Sequence, residues 1–237
     1  AAHGVQVTVP TRRPESRKSL ALLPGVRLLA ADIHDPLTLD DLIGDADAVI
    51  NLVGILHERD GSAPYGKRFA AAHVELPRRI VAAMKAKGVR RLLHMSALRA
   101  SVDAPSAYLR SKAAGEAAVL AAAKELDVTI FRPSVIFGPG DAFLNKFASL
   151  LSLFRVLPLA GAKARFQPAY IGDVADVMVD CLTRSDTFGQ TYELAGPRAY
   201  SLRELVDYVA KLSGRCAAVI NRSEEHTSEL QSRLQIS

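Results

Sequence analysis

The sequence predicts an α/β fold in which helices cover both faces of a doubly wound parallel sheet. Three observations predict it. Short apolar runs of strand length alternate with longer helical patterns. Ala48-Val49-Ile50-Asn51-Leu52-Val53 is apolar almost without a break, as a strand covered on both faces must be. Gly88 stops the longest helical pattern just before another such run begins.

Taken in order, Gln6–Val9 alternates like a strand, and Val26 to Asp32 reads as a second one after a basic turn. Leu37 to Ile43 has a short helical pattern, with Asp35 as N-cap and Pro36 at the first helical position. The Ala48–Val53 strand precedes a helix over 70–87. Arg91 to Ser96 is the next strand, Tyr108 to Leu126 an alanine-rich helix, and Val128 to Arg132 a further strand. Beyond Pro133 the pattern loosens into short elements at 143–154, 169–182, 191–194 and 202–212. No internal repeat and no flexible linker interrupts them.

Composition excludes several classes. With 237 residues, 49% hydrophobic and 23% charged, the chain can bury a sizeable core without a covalent staple. Its longest apolar stretches, 117–123 and 148–153, fall far short of the ~18 residues of a membrane span. Cys181 and Cys216 stand far apart and read as small buried hydrophobes. Six histidines are dispersed, so no metal site is expected. The net charge of +5 suits acidic ligands, anionic headgroups or an acidic protein surface. Aromatic residues do not interleave with the basic ones, which argues against nucleic acid.

Both ends depart from the pattern. Gly4 followed by alternating valines reads as a helix end running into a strand, so an earlier strand is expected in the parent protein. From Arg222 periodicity vanishes, and the string through Ser232 resembles the translation of a sequencing adapter. Residues 222–237 are therefore expected to be foreign to the fold.

The chemistry is concentrated in three residues. Tyr108 and Lys112 stand four apart on a helix and share a face. An ammonium beside a phenol favours phenolate and lowers its pKa, which suits a general acid/base. Ser96 closes the preceding strand, where its hydroxyl could orient a substrate carbonyl.

Here the chain resembles the extended or atypical short-chain dehydrogenase/reductases, a Rossmann-type family that binds NAD(P). The resemblance implies catalytic roles for Ser96, Tyr108 and Lys112, with Lys112 and Tyr108 also holding the nicotinamide ribose. Asp32 and Ile33 resemble the family's adenine-side segment, and Asn51, Leu52, Val53 and Gly54 its strand-end cofactor lining. Arg132, Pro133, Ser134 and Val135 open a run to Asp141 that resembles the segment beside the nicotinamide. Runs at 170–175 and 191–196 match later family segments, so the likeness extends from Val5 to Gly214.

Arg12 and Arg13 follow the first strand, where a family acid would bond the ribose 2′-hydroxyl of NAD. Arginines there suit a 2′-phosphate, so NADP(H) is preferred and NAD(H) is the alternative. The family's Gly-x-x-Gly-x-x-Gly, which lets backbone approach a pyrophosphate, is absent from the sequence. Its strand is central in the family's order, so the sheet is expected to fall into two parts, with poor cofactor binding and marginal folding. This reading makes 1–140 a truncated Rossmann domain, 141–221 a small substrate-side α/β region and 222–237 a tail.

The wording of 9–13, 47–56, 94–98 and 166–168 further resembles the NAD(P)H-binding accessory subunits of respiratory complex I and their bacterial relatives. That implies NADP(H) held structurally on an NADH:quinone oxidoreductase. The location would be cytoplasmic, peripheral at a bacterial inner membrane, or on the mitochondrial matrix side. The alternative is an active reductase, epimerase or dehydratase acting on a nucleotide-sugar or another carbonyl, because Ser96, Tyr108 and Lys112 are all present. A redox-sensing module without catalysis fits less well, since it has no need of the tyrosine.

Overall fold

The computed structural model describes residues 4–154, 156–214 and 218–221. Cys216 and the 222–237 tail lie outside the described residues.

Strand β1 (Val7–Thr11) runs through a 3-10 turn and the short α1 (Lys18–Ala21) to β2 (Val26–Ala30), which pairs with it in parallel. Helix α2 (Pro36–Gly44) starts where expected: the Asp35 carboxylate accepts the Thr38 N–H at 2.9 Å. After β3 (Ala48–Asn51) come α3 (Lys67–Phe69), a π-helical turn (Ala70–Glu75) and α4 (Leu76–Lys87). Gly88 then ends the helix in the left-handed region at φ 74°. The predicted 70–87 helix is thus real, but its first turn and a half is π-wound.

Strand β4 (Arg91–Met95) leads to α5 (Ala107–Leu120) and β5 (Asp127–Pro133). Helix α5 stops six residues short of Leu126, and its carboxyl end unwinds into consecutive turns. The remainder alternates β6 (Ile136–Phe137), α6 (Phe143–Leu153), β7 (Val156–Leu159), β8 (Arg165–Phe166), β9 (Ala169–Tyr170) and α7 (Ile171–Cys181). A 3-10 turn then precedes β10 (Gln190–Leu194), β11 (Tyr200–Ser201), α8 (Leu202–Leu212) and β12 (Ala218–Asn221).

The main sheet is four-stranded and wholly parallel, in the order β10-β5-β4-β3. The β1-β2 pair forms a sheet separate from it, the expected division, and β6-β9, β8-β11 and β7-β12 make three further two-stranded sheets. The β1-β2 pair is linked to the main sheet by α2, whose Leu39 and Ile43 join the same core as Ile80, Met84 and Leu92. Adjacent Leu92 and Leu93 on β4 point to opposite faces, and both are fully buried. Leu92 meets the α2–α4–α5 layer; Leu93 joins Phe131, Val174, Met178 and Cys181 under α7. Each leucine contributes about 2 kcal/mol by leaving water. Cys181 is buried there as a free thiol, as its sequence position suggested.

A second core lies in the later region, where Phe143, Phe147 and Leu151 of α6 pack on Leu202, Leu205 and Val206 of α8. Ser201 opens α8 with a reciprocal capping box to Glu204. No helix among the described residues is long and apolar enough to cross a membrane.

At the amino ends of the strands Arg91 acts as a fastener. Its guanidinium donates to the carbonyls of Leu182 (3.0 Å), Asp127 (2.7 Å) and Cys181, and to the hydroxyls of Thr129 (2.9 Å) and Thr187 (3.2 Å). It also lies 4.7 Å from the Phe188 ring centroid.

Candidate functional site

In an open parallel sheet, ligands bind beyond the carboxyl ends of the strands. Every candidate site residue lies at that end or on α5. Arg12 and Arg13 follow β1, Asp32 and Ile33 follow β2, and Asn51 to Gly54 end and follow β3. Ser96 follows β4, and Arg132 to Val135 end and follow β5.

On the β1-β2 side both arginines are exposed, and among the described residues no carboxylate lies within salt-bridge distance of either. Asp32 turns its carboxylate onto the His34 N–H at 3.0 Å, holding the bend after β2. Ile33 and Val53 pack against the same core, which joins this side to the β3 loop.

Asn51 is buried and bonds in two directions. Its amide donates to His94 Nδ1 at 3.1 Å, and its carbonyl oxygen accepts the Val53 N–H at 3.1 Å. The first bond fixes His94 as the Nε2–H tautomer. That Nε2 has no partner among the described residues, and neither does Ser96 Oγ. Ser96 prolongs β4, its N–H donating to the Phe131 carbonyl at 2.7 Å, so its hydroxyl sits buried at the ligand end of the sheet. A buried hydroxyl without a partner fits a site completed by a polar ligand.

Lys112 is 4% exposed, and its ammonium donates to the Met95 carbonyl at 2.5 Å. Burial pulls its pKa down to about 8, against the attraction of Glu116. Tyr108 lies edge-on to His73, with ring centroids 5.3 Å apart, and edge-on to Phe69 at 6.0 Å. Burial pushes its phenol up to about 12. The phenol is therefore not lowered as the Tyr-x-x-x-Lys spacing suggested. Desolvation outweighs any help from Lys112, whose ammonium is held on the main chain of β4.

Arg132 is committed to protein. It makes a bidentate pair with the buried Glu116 carboxylate and lies 3.9 Å from Glu193. Val135 points into the second core, so what it offers a ligand is backbone. Pro133 and Ser134 are half-buried, and their peptide groups pair with Leu98 and Leu194.

Two residues escaped the sequence reading, His73 and His94. His73 lies on the π turn and is 2% exposed. Its Nε2 accepts the Ile55 N–H at 3.0 Å, and its Nδ1 lies 2.8 Å from Ser111 Oγ. Ser111 in turn donates to the Tyr108 carbonyl at 2.7 Å. A Cβ at Gly115 would stand 1.8 Å from the His73 carbonyl oxygen, so only glycine lets α5 approach the π turn this closely. Among the described residues no cluster of histidine, cysteine and carboxylate could hold a metal.

The NAD dependent epimerase/dehydratase family matches residues 1–195. The chain belongs to that family. Among curated relatives of this epimerase/dehydratase chain is NADH dehydrogenase (ubiquinone) 1 alpha subcomplex subunit 9 of Arabidopsis thaliana. It is 34% identical over 214 residues, covering 87% of this chain and 52% of the relative. The Mus musculus protein of the same name is 37% identical over 186 residues, covering 78% and 47%. The chain thus spans about half the length of these relatives. Among solved structures, MoeE5 in complex with UDP-glucose and NAD aligns with TM-score 0.79 at 21% identity, covering 95% of this chain and 80% of MoeE5. That likeness establishes the Rossmann-type fold, and a nicotinamide dinucleotide is the cofactor of the epimerase/dehydratase family by its description.

Proposed function

We propose that the chain belongs to the dinucleotide-holding core of an accessory or assembly subunit of an NADH:quinone oxidoreductase, and that the intact subunit retains NADP(H). One observation carries this reading over an active enzyme. The chain is 34% identical to the Arabidopsis thaliana subunit 9 protein over 87% of its length and 37% identical to the Mus musculus one over 78%. The identities to the subunit 9 proteins support the partner. A basic sequence fits a place against an acidic face of a membrane complex, on the matrix side in a mitochondrion.

In this reading Tyr108 and Lys112 hold the nicotinamide ribose, Ser96 offers its free hydroxyl beside them, and the backbone of 51–54 and 133–135 lines the site. Asp32 and Ile33 border the adenine. Bound dinucleotide would supply hydride exchange at its nicotinamide ring. The residues here fix its position and exclude water from it.

Full-length Tyr108→Phe protein should keep its dinucleotide within about fivefold of wild-type affinity and still assemble, since it loses one neutral hydrogen bond. Under the alternative, a reductase, epimerase or dehydratase on a nucleotide-sugar or other carbonyl, the same change should cut turnover at least ~100-fold. Calorimetric titration beside a turnover assay separates the two.

The exposed guanidiniums of Arg12 and Arg13 support the preference for NADP(H) over NAD(H). Replacing both by alanine should weaken NADPH binding on the order of 10- to 100-fold and leave NADH nearly unchanged. Equal NADPH affinity in the double variant would remove the preference.

A further inference from the structure

His73 joins two parts of the site that sequence keeps apart. The Ile55 N–H donates to Nε2 at 3.0 Å, so that nitrogen carries no proton and the ring proton sits on Nδ1. Nδ1–H then donates to Ser111 Oγ at 2.8 Å, and Ser111 donates to the Tyr108 carbonyl at 2.7 Å. Every link is a donor pointing the same way. The chain begins on the main chain of the β3 loop and ends on the main chain of α5. It cannot serve as a proton path, because its last acceptor is an amide carbonyl. It can serve as a brace.

The surroundings agree. The ring is fixed by Phe69, stacked at 5.2 Å, and by the edge-on contact to Tyr108 at 5.3 Å. The imidazole is carried by the π turn, with Ala72 and Val74 buried on either side of it. Gly115 then lets α5 seat against the carbonyl of that same residue. Gly54 lies across the ring, where a Cβ would be 3.6 Å from Nε2 and 4.0 Å from Lys112 Nζ.

We propose that His73 is a positioning residue, held in its Nδ1-protonated tautomer, that braces the β3 loop against α5 and so sets where Tyr108 and Lys112 meet the nicotinamide half of a bound dinucleotide. This rests on the dinucleotide-holding reading above. The brace serves one half of the ligand only, because Arg12, Arg13 and Asp32 follow the strands of the other sheet, while its links run from the β3 loop to α5.

The test uses full-length protein and two probes, NADPH and 2′,5′-ADP, the second carrying only the adenine half. His73→Gln keeps an acceptor for Ile55 and loses the ring donor; Ser111→Ala removes the middle link without touching the histidine. Each should weaken NADPH about tenfold, the worth of one well-placed hydrogen bond, and leave 2′,5′-ADP binding unchanged. The double variant should be no worse than the poorer single, because the links act as one chain. Nitrogen NMR of the wild type should find His73 protonated at Nδ1 alone.

A proton on Nε2 would overturn the proposal. So would NADPH affinity unchanged in both variants, or equal losses for both probes that track a fall in melting temperature. If wild-type protein binds 2′,5′-ADP but not NADPH, or binds neither, the dinucleotide-holding reading fails and the proposal falls with it. NADPH bound normally by the wild type and by both variants defeats the brace alone.

Discussion

Acidification from pH 7 to pH 5 is expected to cost the fold about 4 kcal/mol, about 2 kcal/mol from each of two buried histidines. His73 and His94 are each pulled down to about 3, chiefly by burial and further by the Lys112 charge. Unfolded, each titrates near 6.5. Below that pH the unfolded chain takes up protons that the folded one refuses, so stability is complete above about 6.5 and drains away as pH falls toward 3. Lys112 works in the alkaline range: with a folded pKa of about 8 against about 10.4 unfolded, its burial cost eases as pH rises through that window. Urea midpoints at pH 7 and pH 5 read the acid arm directly. An unmoved midpoint would mean that both rings already accept protons in the folded state.

Arg91→Ala should cost about 3–5 kcal/mol, because it strips one cation from five acceptors at the foot of the sheet. Two of those acceptors are the carbonyls of Cys181 and Leu182 at the carboxyl end of α7, groups a helix leaves unpaired. Lysine cannot replace it, since a single ammonium does not fan out to strand, helix and hydroxyl at once. Arg91→Lys should therefore recover less than half of the loss. Denaturant midpoints at constant slope measure both variants, and an alanine variant within about 1 kcal/mol of wild type would show the network to be idle.

What was legible in the sequence was local. Asp35 and Gly88 announced their helix ends through chemistry that needs no tertiary partner. The shared helix of Tyr108 and Lys112 was readable from their spacing, and the place of Ser96 from the apolar run it closes. The π turn hid because it opens on Ala70, Ala71 and Ala72, whose small side chains give no pattern that tells one winding from the other. His73 and His94 therefore looked like scattered polar residues. Arg91, beside Arg90 at the start of a strand, resembled surface charge; only the folded positions of α7 and the 185–187 turn reveal its acceptors. The early end of α5 has a similar origin, as alanines that favour helix give way to turns that carry the chain into β5. The raised phenol of Tyr108 could not be read either, because spacing tells which groups are close but not how much water surrounds them.

The sheet divides its labour along the strands, with Arg91 and its acceptors at one end and Asn51, Ser96 and the α5 pair at the other. In a cell this should sort the consequences of inherited change. Substitutions at the amino ends would lower the steady-state amount of protein through quality control, whereas, under the dinucleotide-holding proposal, those at the carboxyl ends would leave normal amounts of a chain that holds its ligand badly. Protein abundance alone would then tell at which end of the sheet a harmful variant lies.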